Sequence, residues 1–355
     1  MLTQVFVSPR VKHIMVKLLQ LLLTYKFRTT QPAQKNGGFT LIEVLVGLVL
    51  AFLVITPLLG FMVNLLQTDR QEQAKANSEQ EIQAAADYIA RDVEQAVYIY
   101  DGYGLSKIQP NLPKPDANSV PVLVFWKRKL ITEAISTNKG DDDAFVYSLV
   151  AYYLTKSPAN CATDPNWSWS CTSQIKRIEL RDAVKDKDGK PLSTDPSDKR
   201  SASPGFVLFD PKSASTSEED SMNKWPYTTT PTYDLNSTPP QVLIDYIDQS
   251  PFDPTTQGCP PIARTRTSLP TDYLPATASQ VPVTPATSGT AGFSACVNVD
   301  NISAQIFIRG NGLARIQKKT PSPPQYSSDK SVATYFPTVR MQVQGRGVFK
   351  INQKS

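Results

Sequence analysis

Histidine is nearly absent from this chain: the sequence has one in 355 residues, His13. Histidine is the general base of Ser-His-Asp and Cys-His enzymes and a frequent zinc ligand. The residues after His13 therefore exclude both catalytic arrangements and any zinc site built on imidazole. Because the sequence also lacks a recognisable phosphate-cradling loop, nucleophile elbow or paired-carboxylate site, it argues against an enzyme and predicts no cofactor.

The sequence is also poor in cysteine, with four residues in all. None of them forms a C-x-x-C pair, which disfavours a zinc ion held by four thiolates. An even number of cysteines fits two disulfides in an oxidising compartment. Of the three possible connectivities, the sequence favours the local one over the others and over four free thiols: Cys161–Cys171 and Cys259–Cys296.

Acidic residues are missing from residues 1–38, which carry six of the 37 basic residues. The remaining 31 Lys and Arg stand against 32 Asp and Glu, so the formal net charge of +5 arises in this segment. A local basic excess is typical of a topogenic signal that keeps its segment cytoplasmic. A surface that binds nucleic acid would instead need basic residues elsewhere, so no nucleic-acid partner is expected.

A long apolar run occurs once, at residues 39–63. As a helix, its 25 residues would measure about 38 Å, more than the ~30 Å hydrocarbon core of a bilayer. The run therefore predicts a single membrane-spanning helix. Pro57 lies inside it and predicts a kink or a locally melted turn, because proline cannot donate the helical hydrogen bond.

One carboxylate interrupts the apolar run, Glu43 at its fifth position. An ionised carboxylate inside a membrane costs roughly 2.5–3.5 kcal/mol, so it needs a partner. Cleavage after Gly38 would create such a partner, the α-amino group of Phe39. The surrounding stretch resembles the type III signal of type IV prepilins and type II secretion pseudopilins: Gly38-Phe39-Thr40-Leu41-Ile42-Glu43-Val44-Leu45-Val46.

This resemblance implies that a prepilin peptidase removes residues 1–38 and that Phe39 is N-methylated. It implies a single-pass protein of the inner membrane with an extracytoplasmic head, which could enter an extracellular fibre. The expected partners are other pilins or pseudopilins, which bind through the N-terminal helix, an inner-membrane platform protein and a cytoplasmic assembly ATPase. The expected organisation is a leader (1–38), a transmembrane helix (39–63), its amphipathic continuation (64–99) and a β-rich head (100–355).

Apolar residues recur at three- and four-residue spacing after residue 64, which predicts one continuous helix over residues 39–97. Polar and charged residues fill its other face. The stripe consists of Ile82, Ala85, Ala86, Ile89, Val93, Ala96 and Val97. Within it, one stretch resembles J-type minor pseudopilins and PilW-like minor pilins: Arg91-Asp92-Val93-Glu94-Gln95-Ala96.

Beyond Tyr100 the pattern changes to short alternating runs that predict strands. The predicted strands are residues 120–126, 144–154, 174–181, 205–210, 304–309, 313–317 and 332–343, and residues 241–247 fit either a strand or a short helix. Asn311-Gly312 between two runs predicts a hairpin. The predicted fold class is α+β, a long N-terminal helix packed on an antiparallel sheet. Three polar segments predict long surface loops: 183–204, 211–240 and 249–292.

Three adjacent aspartates, Asp141, Asp142 and Asp143, are a candidate calcium site, because calcium prefers several oxygen ligands. They follow Asn138-Lys139-Gly140. A solvated turn is the favoured interpretation of this sequence, and calcium is the alternative.

Trp167 and Trp169 lie between Cys161 and Cys171. They could stack on sugar rings, although packing over a disulfide at the sheet edge is the favoured interpretation. Residues 161–171, together with Phe336-Pro337-Thr338 and Gln344-Gly345-Arg346-Gly347, resemble cyanobacterial pseudopilins linked to hormogonium polysaccharide secretion. That resemblance implies polysaccharide export. A motility or DNA-uptake pilus, a type II secretion tip and a membrane-anchored carbohydrate-binding protein remain alternatives.

Overall fold

The computed structural model describes residues 39–138, 140–211, 218–227, 230–251, 259, 292–317 and 319–347. The predicted leader, Gly38 included, lies outside the described residues, as does most of the predicted loop 249–292. Internal contacts divide the chain into two units, Met1–Asn64 and Leu65–Ser355.

Helix α1 (Leu41–Glu94) is 54 residues long and contributes to both units. Among the described residues, it is the one helix long and apolar enough to cross a membrane. The helix is unbroken at Pro57, so the turn there is not melted, and the kink stays a prediction. Thr56, the residue before Pro57, donates its hydroxyl hydrogen to the carbonyl oxygen of Phe52 at 2.8 Å, which is an additional hydrogen bond within the helix.

The second unit has eight described strands and, after α1, four short α-helices and one 3-10 helix (Gln109–Asn111). A five-stranded antiparallel sheet has the order β1-β2-β3-β4-β5, and a three-stranded sheet has the order β6-β7-β8. The elements are β1 (Ala96–Ile99), α2 (Gly102–Ile108), β2 (Ser119–Thr137), β3 (Gly140–Lys156), β4 (Ser173–Arg181), α3 (Glu218–Asn223), β5 (Gln241–Ile247), β6 (Phe293–Asn298), β7 (Ser303–Arg309), α4 (Leu313–Ile316), α5 (Lys330–Ala333) and β8 (Thr338–Gln344). The predicted α+β fold class is confirmed.

The predicted apolar stripe of α1 is buried and shares one core with both sheets. Ile82, Ile89 and Val93 are each at most 1% exposed. Burying a side chain of this size contributes about 1.5–3 kcal/mol. Packing against the sheets therefore accounts for the stability of this end of the helix more than intrinsic helix propensity does.

The helix ends earlier than predicted, and Ala96 and Val97 belong to strand β1 instead. Tertiary contacts explain the difference. Ala96 pairs with Lys127 of β2, and the amide of Gly347 donates to the carbonyl of Ala96 at 2.9 Å. The amide of Arg346 donates to the carbonyl of Glu94 at 2.9 Å, which satisfies one of the last carbonyls of the helix.

The hairpin predicted at Asn311-Gly312 is wrong, and residues 313–316 form helix α4 rather than a strand. The amides of Gly310, Asn311 and Gly312 donate to the carbonyls of Pro337, Tyr246 and Tyr335, and not across a turn. Added Cβ atoms would overlap the side chain of Ile82 at Gly310 and approach the carbonyl of Ala74 within 3.1 Å at Gly312. The close approach of the chain to α1 therefore favours glycine at both positions.

Two further strand predictions differ from the structure, and one strand was not predicted. Residues 205–210 are irregular, because the carbonyl of Val207 accepts from the Trp225 indole at 2.9 Å and Phe209 packs on Trp126. The last predicted strand begins only at Thr338, after helix α5. Strand β6 was not predicted, and its central Cys296 bonds to Cys259.

Candidate functional site

The first candidate site is the N-terminal end of α1. The helix begins at Leu41, two residues after Phe39, and the carbonyl of Thr40 accepts from the amides of Glu43 and Val44 at 3.0 and 3.2 Å. The hydroxyl oxygen of Thr40 also accepts from the amide of Glu43 at 3.3 Å. Threonine followed by glutamate three residues later is a helix-start signature. Thr40 thus fixes where the helix starts and holds Glu43 in its first turn.

A carboxylate in the first turn of a helix interacts favourably with the positive end of the helix dipole. Phe39 precedes Glu43 by four residues, about one helical turn. A free α-amino group on Phe39 would add a full positive charge at the same end of α1. The geometry can therefore place the Glu43 carboxylate beside two sources of positive charge.

The large apolar side chains from Leu41 to Leu66 are exposed on every side of α1. A surface this extensive needs a non-aqueous environment, either lipid or the helices of other subunits. The carboxylate of Glu43 thus stands at the start of a helix whose own surface is apolar.

The second feature is a buried ion network around Asp92 of α1, a residue outside the predicted apolar stripe. Its carboxylate accepts from Lys127 of β2 at 2.6 Å, from the hydroxyl of Tyr152 of β3 at 2.7 Å and from Nε of Arg177 of β4 at 2.8 Å. Asp92 is three residues after Ile89 and seven after Ala85, so the helical spacing itself could have indicated its burial.

Glu179 extends this network along β4. Its carboxylate lies 2.9 Å from Arg177, 3.1 Å from Lys129 and 3.5 Å from Lys127. Burial alone would raise the pKa of Glu179, but the charges of Lys127, Arg177 and Lys129 outweigh it and lower that pKa to about 2. Burial likewise opposes ionisation of Asp92, yet the hydrogen bond and charge of Arg177 and the charge of Lys127 lower its pKa. Both carboxylates are ionised at neutral pH.

A family model of the prokaryotic N-terminal methylation motif matches residues 33–59. The match includes Gly38, Phe39, Glu43 and Pro57, and it covers the start of α1. The chain has the N-terminal motif of a type IV pilin-like protein. No curated protein and no solved structure matches the chain.

The motif implies processing by a prepilin peptidase and assembly with other pilins. Together with the apolar helix, it fits a membrane-anchored single-pass protein. It also suggests a structural subunit rather than a catalytic one. Of the residues predicted to act in processing, Phe39 is described and Gly38 lies outside the described residues.

The three candidate calcium ligands do not converge. Asp141, Asp142 and Asp143 lie in β3, where successive side chains point to opposite faces, and not in a turn as favoured from the sequence. The carboxylate of Asp143 accepts from the amide of Glu133 at 2.9 Å. Within the part of the chain that the structure describes, no group of three or more His, Cys, Asp or Glu is arranged to hold a metal ion.

The structure contains both local disulfides, Cys161–Cys171 and Cys259–Cys296. Inside the first loop the two tryptophans differ. The indole of Trp167 is half-buried and donates to the carbonyl of Ser170 at 2.9 Å, whereas Trp169 is 44% exposed. Trp169 therefore presents an aromatic surface to solvent.

Proposed function

We propose that this chain is a minor pilin or pseudopilin, made as a precursor that a prepilin peptidase cleaves after Gly38. Phe39 becomes the N-methylated first residue. The apolar part of α1 holds the protein in the inner membrane, and the β-rich part forms an extracytoplasmic head. The observation that carries this proposal is the methylation motif at residues 33–59, together with a helix that begins at Leu41, two residues after the proposed first residue Phe39.

In the proposed mechanism, Glu43 guides assembly. The mature N-terminus carries a positive charge in an apolar environment, where an unpaired charge is costly. Glu43 of the same subunit or of a neighbour neutralises it, so subunits associate in one axial register. A platform protein and a cytoplasmic ATPase would supply the assembly machinery. The two disulfides fit a head outside the cytoplasm, since such bonds persist in oxidising compartments.

We further propose that the fibre supports polysaccharide export. The support is the resemblance of residues 161–171 and of the C-terminal motifs to pseudopilins of cyanobacterial polysaccharide secretion. The exposed Trp169 within the first of these segments is a second support, because an indole face can stack on sugar rings. A role in polysaccharide export is the point on which this proposal differs from a motility pilus or a type II secretion tip.

The deciding experiment expresses the protein in a host with a prepilin peptidase and identifies the mature N-terminus by mass spectrometry. The expected product starts at methylated Phe39. Gly38→Val should accumulate the full-length precursor, because the peptidase must accept a residue with almost no side chain before the cut. Gly47→Val is the matched control, since an added Cβ there meets nothing within 4 Å. Normal trimming of Gly38→Val would overturn the proposal.

A further inference from the structure

A cavity of about 260 Å³ opens beside the ion network of the head. Three basic side chains line it: Lys129 of β2 and Arg177 and Arg181 of β4. One acidic side chain, Glu179, faces the same space. Residues 177, 179 and 181 alternate along β4, which places all three on one face of the sheet. Ser203, Ser237 and Thr238 also line this cavity.

The charges of this cluster do not balance. Lys127, Lys129 and Arg177 share the carboxylates of Asp92 and Glu179. Arg181 instead donates to the backbone carbonyls of Asp198 at 2.9 Å and Ser201 at 3.1 Å. Among the described residues, four basic side chains therefore meet two carboxylates, a formal excess of +2. A partly enclosed positive excess favours an anionic ligand.

A second cavity of about 530 Å³ adjoins the first and shares Arg177 and Gln241 with it. Its walls include the aromatic rings of Tyr88 of α1 and Trp169, both 44% exposed. The guanidinium of Arg177 lies 5.8 Å from the centre of the Tyr88 ring, so the basic and aromatic regions are in direct contact.

The loop that carries Trp169 is held firmly. The Cys161–Cys171 disulfide closes it. The amide and hydroxyl of Ser170, the next residue, donate to the carboxylate of Asp245 at 2.8 and 2.6 Å. An aromatic side chain on a fixed loop loses little conformational freedom when a ligand binds.

We propose that these adjoining cavities bind an acidic oligosaccharide. The anionic group of one sugar, a carboxylate or a sulfate, lies against Lys129, Arg177 and Arg181, and the C–H face of a neighbouring ring stacks on Trp169 and Tyr88. This assignment rests on the proposed export function and names its class of polymer. Single-stranded nucleic acid is the other polyanion that a basic and aromatic surface can bind, and it is an outcome of the test.

The test is calorimetric titration of the full chain in detergent with four probes: an oligogalacturonate, a sulfated heparin fragment, neutral maltohexaose and a deoxythymidine decamer. At least one acidic oligosaccharide should bind about tenfold or more tightly than maltohexaose, and salt should weaken its binding. The better acidic probe distinguishes carboxylate from sulfate. Failure of both acidic probes, equal binding of maltohexaose or tighter binding of the decamer would overturn the proposal.

Two variants assign the binding to these cavities. Trp169→Ala and Lys129→Gln should each weaken binding of the acidic probe about tenfold or more, since each removes a partly exposed side chain that contacts the proposed ligand. Phe145→Ala and Lys185→Gln are matched controls on exposed parts of the head and should leave the affinity unchanged. Unaltered binding by the first pair, with unchanged thermal unfolding, would place the ligand elsewhere and refute the assignment.

These outcomes are separable from those of the processing experiment. If the protein is cleaved after Gly38 but does not bind acidic oligosaccharides, the proposed pilin function stands and the proposed ligand is wrong. An untrimmed protein that binds them is instead a membrane-anchored carbohydrate-binding protein, and the proposed fibre function fails.

Discussion

Asp92 connects helix α1 to three neighbouring strands through Lys127, Tyr152 and Arg177. Its side chain and those of Lys127 and Arg177 are all less than a tenth exposed. The surrounding basic side chains neutralise the buried carboxylate. Without the carboxylate, those buried basic groups would lack a sufficient negative counter-charge.

Asp92→Asn should therefore destabilise the folded head by about 3–5 kcal/mol, because Lys127 and Arg177 would keep only Glu179 as a counter-charge. Urea unfolding of the full chain in detergent, followed by tryptophan fluorescence, measures the change. Asp87→Asn, an exposed substitution on the same helix, is the control and should stay within about 0.5 kcal/mol. Equal stability of the two variants would show that the network contributes little.

Glu179 makes the stability of the head depend on pH. Its pKa of about 2 in the folded chain lies below the ~4.3 of an unfolded glutamate. The unfolded state therefore takes up the proton first as pH falls. The contribution of Glu179 is complete above about pH 5 and is lost progressively towards pH 2, on the order of 2–3 kcal/mol.

Urea unfolding at several pH values between 6 and 2.5 tests this expectation, with Glu179→Gln as the comparison. The variant should be less stable at pH 6 and should lose less stability on acidification than the original chain. Parallel pH profiles for the two proteins would contradict the assigned role of Glu179.

At the scale of elements, the patterns that depend on neighbouring residues were predicted well. The period of 3.6 located α1 through Val93, and the alternation of residues 174–181 located β4. Residues whose role depends on distant partners were not. Ala96 and Val97 continue the helical spacing, yet pairing with β2 and the contact with Gly347 make them a strand.

Gly310 is the clearest example of such a distant dependence. Paired with Asn311-Gly312 in the sequence, it suggests a turn, but in the fold it lies against α1 at Ile82 and Ser78. A methyl group at this position has no space unless the helix or the Ile82 side chain moves.

Gly310→Ala should destabilise the head by about 1–3 kcal/mol through overpacking. Ile82→Val alone should cost about 0.5–1.5 kcal/mol, since it removes one buried methyl group. In the double variant the shorter side chain makes room for the alanine, so its loss of stability should be smaller than the sum of the two. Strict additivity of the three urea-unfolding free energies would show that Ile82 is not what excludes a side chain.

At the scale of the whole molecule, the two candidate sites differed in how far the sequence could predict them. Gly38, Phe39 and Glu43 lie within six consecutive residues, so the order of residue types alone indicates their chemistry. The Asp92 network joins residues 85 positions apart, and the adjoining cavities bring Tyr88 together with Leu243. Their proximity follows from strand order and register, which a single sequence does not specify.

Glu43→Ala tests the proposed function of the assembled molecule. In a fibre, the Glu43 carboxylate would lie buried among helices near a Phe39 ammonium, and removing one partner of a buried pair costs about 3–5 kcal/mol. The variant should still insert in the membrane and start at Phe39, yet it should be depleted at least about tenfold from sheared fibres, with reduced polysaccharide in the medium. Immunoblots of the fibre and membrane fractions measure the distribution.

Glu43→Asp is the matched control, because it keeps the charge in the first helical turn and should retain part of the incorporation. Urea unfolding of the head should be the same in all three proteins, since Glu43 lies outside the residues Leu65–Ser355 that form the second unit. Normal incorporation of Glu43→Ala, alongside failure of Gly38→Val, would show that cleavage matters and the charge pair does not. A subunit with that behaviour belongs at the fibre tip. No subunit lies above it there, so its Glu43 has no Phe39 ammonium of such a neighbour to neutralise.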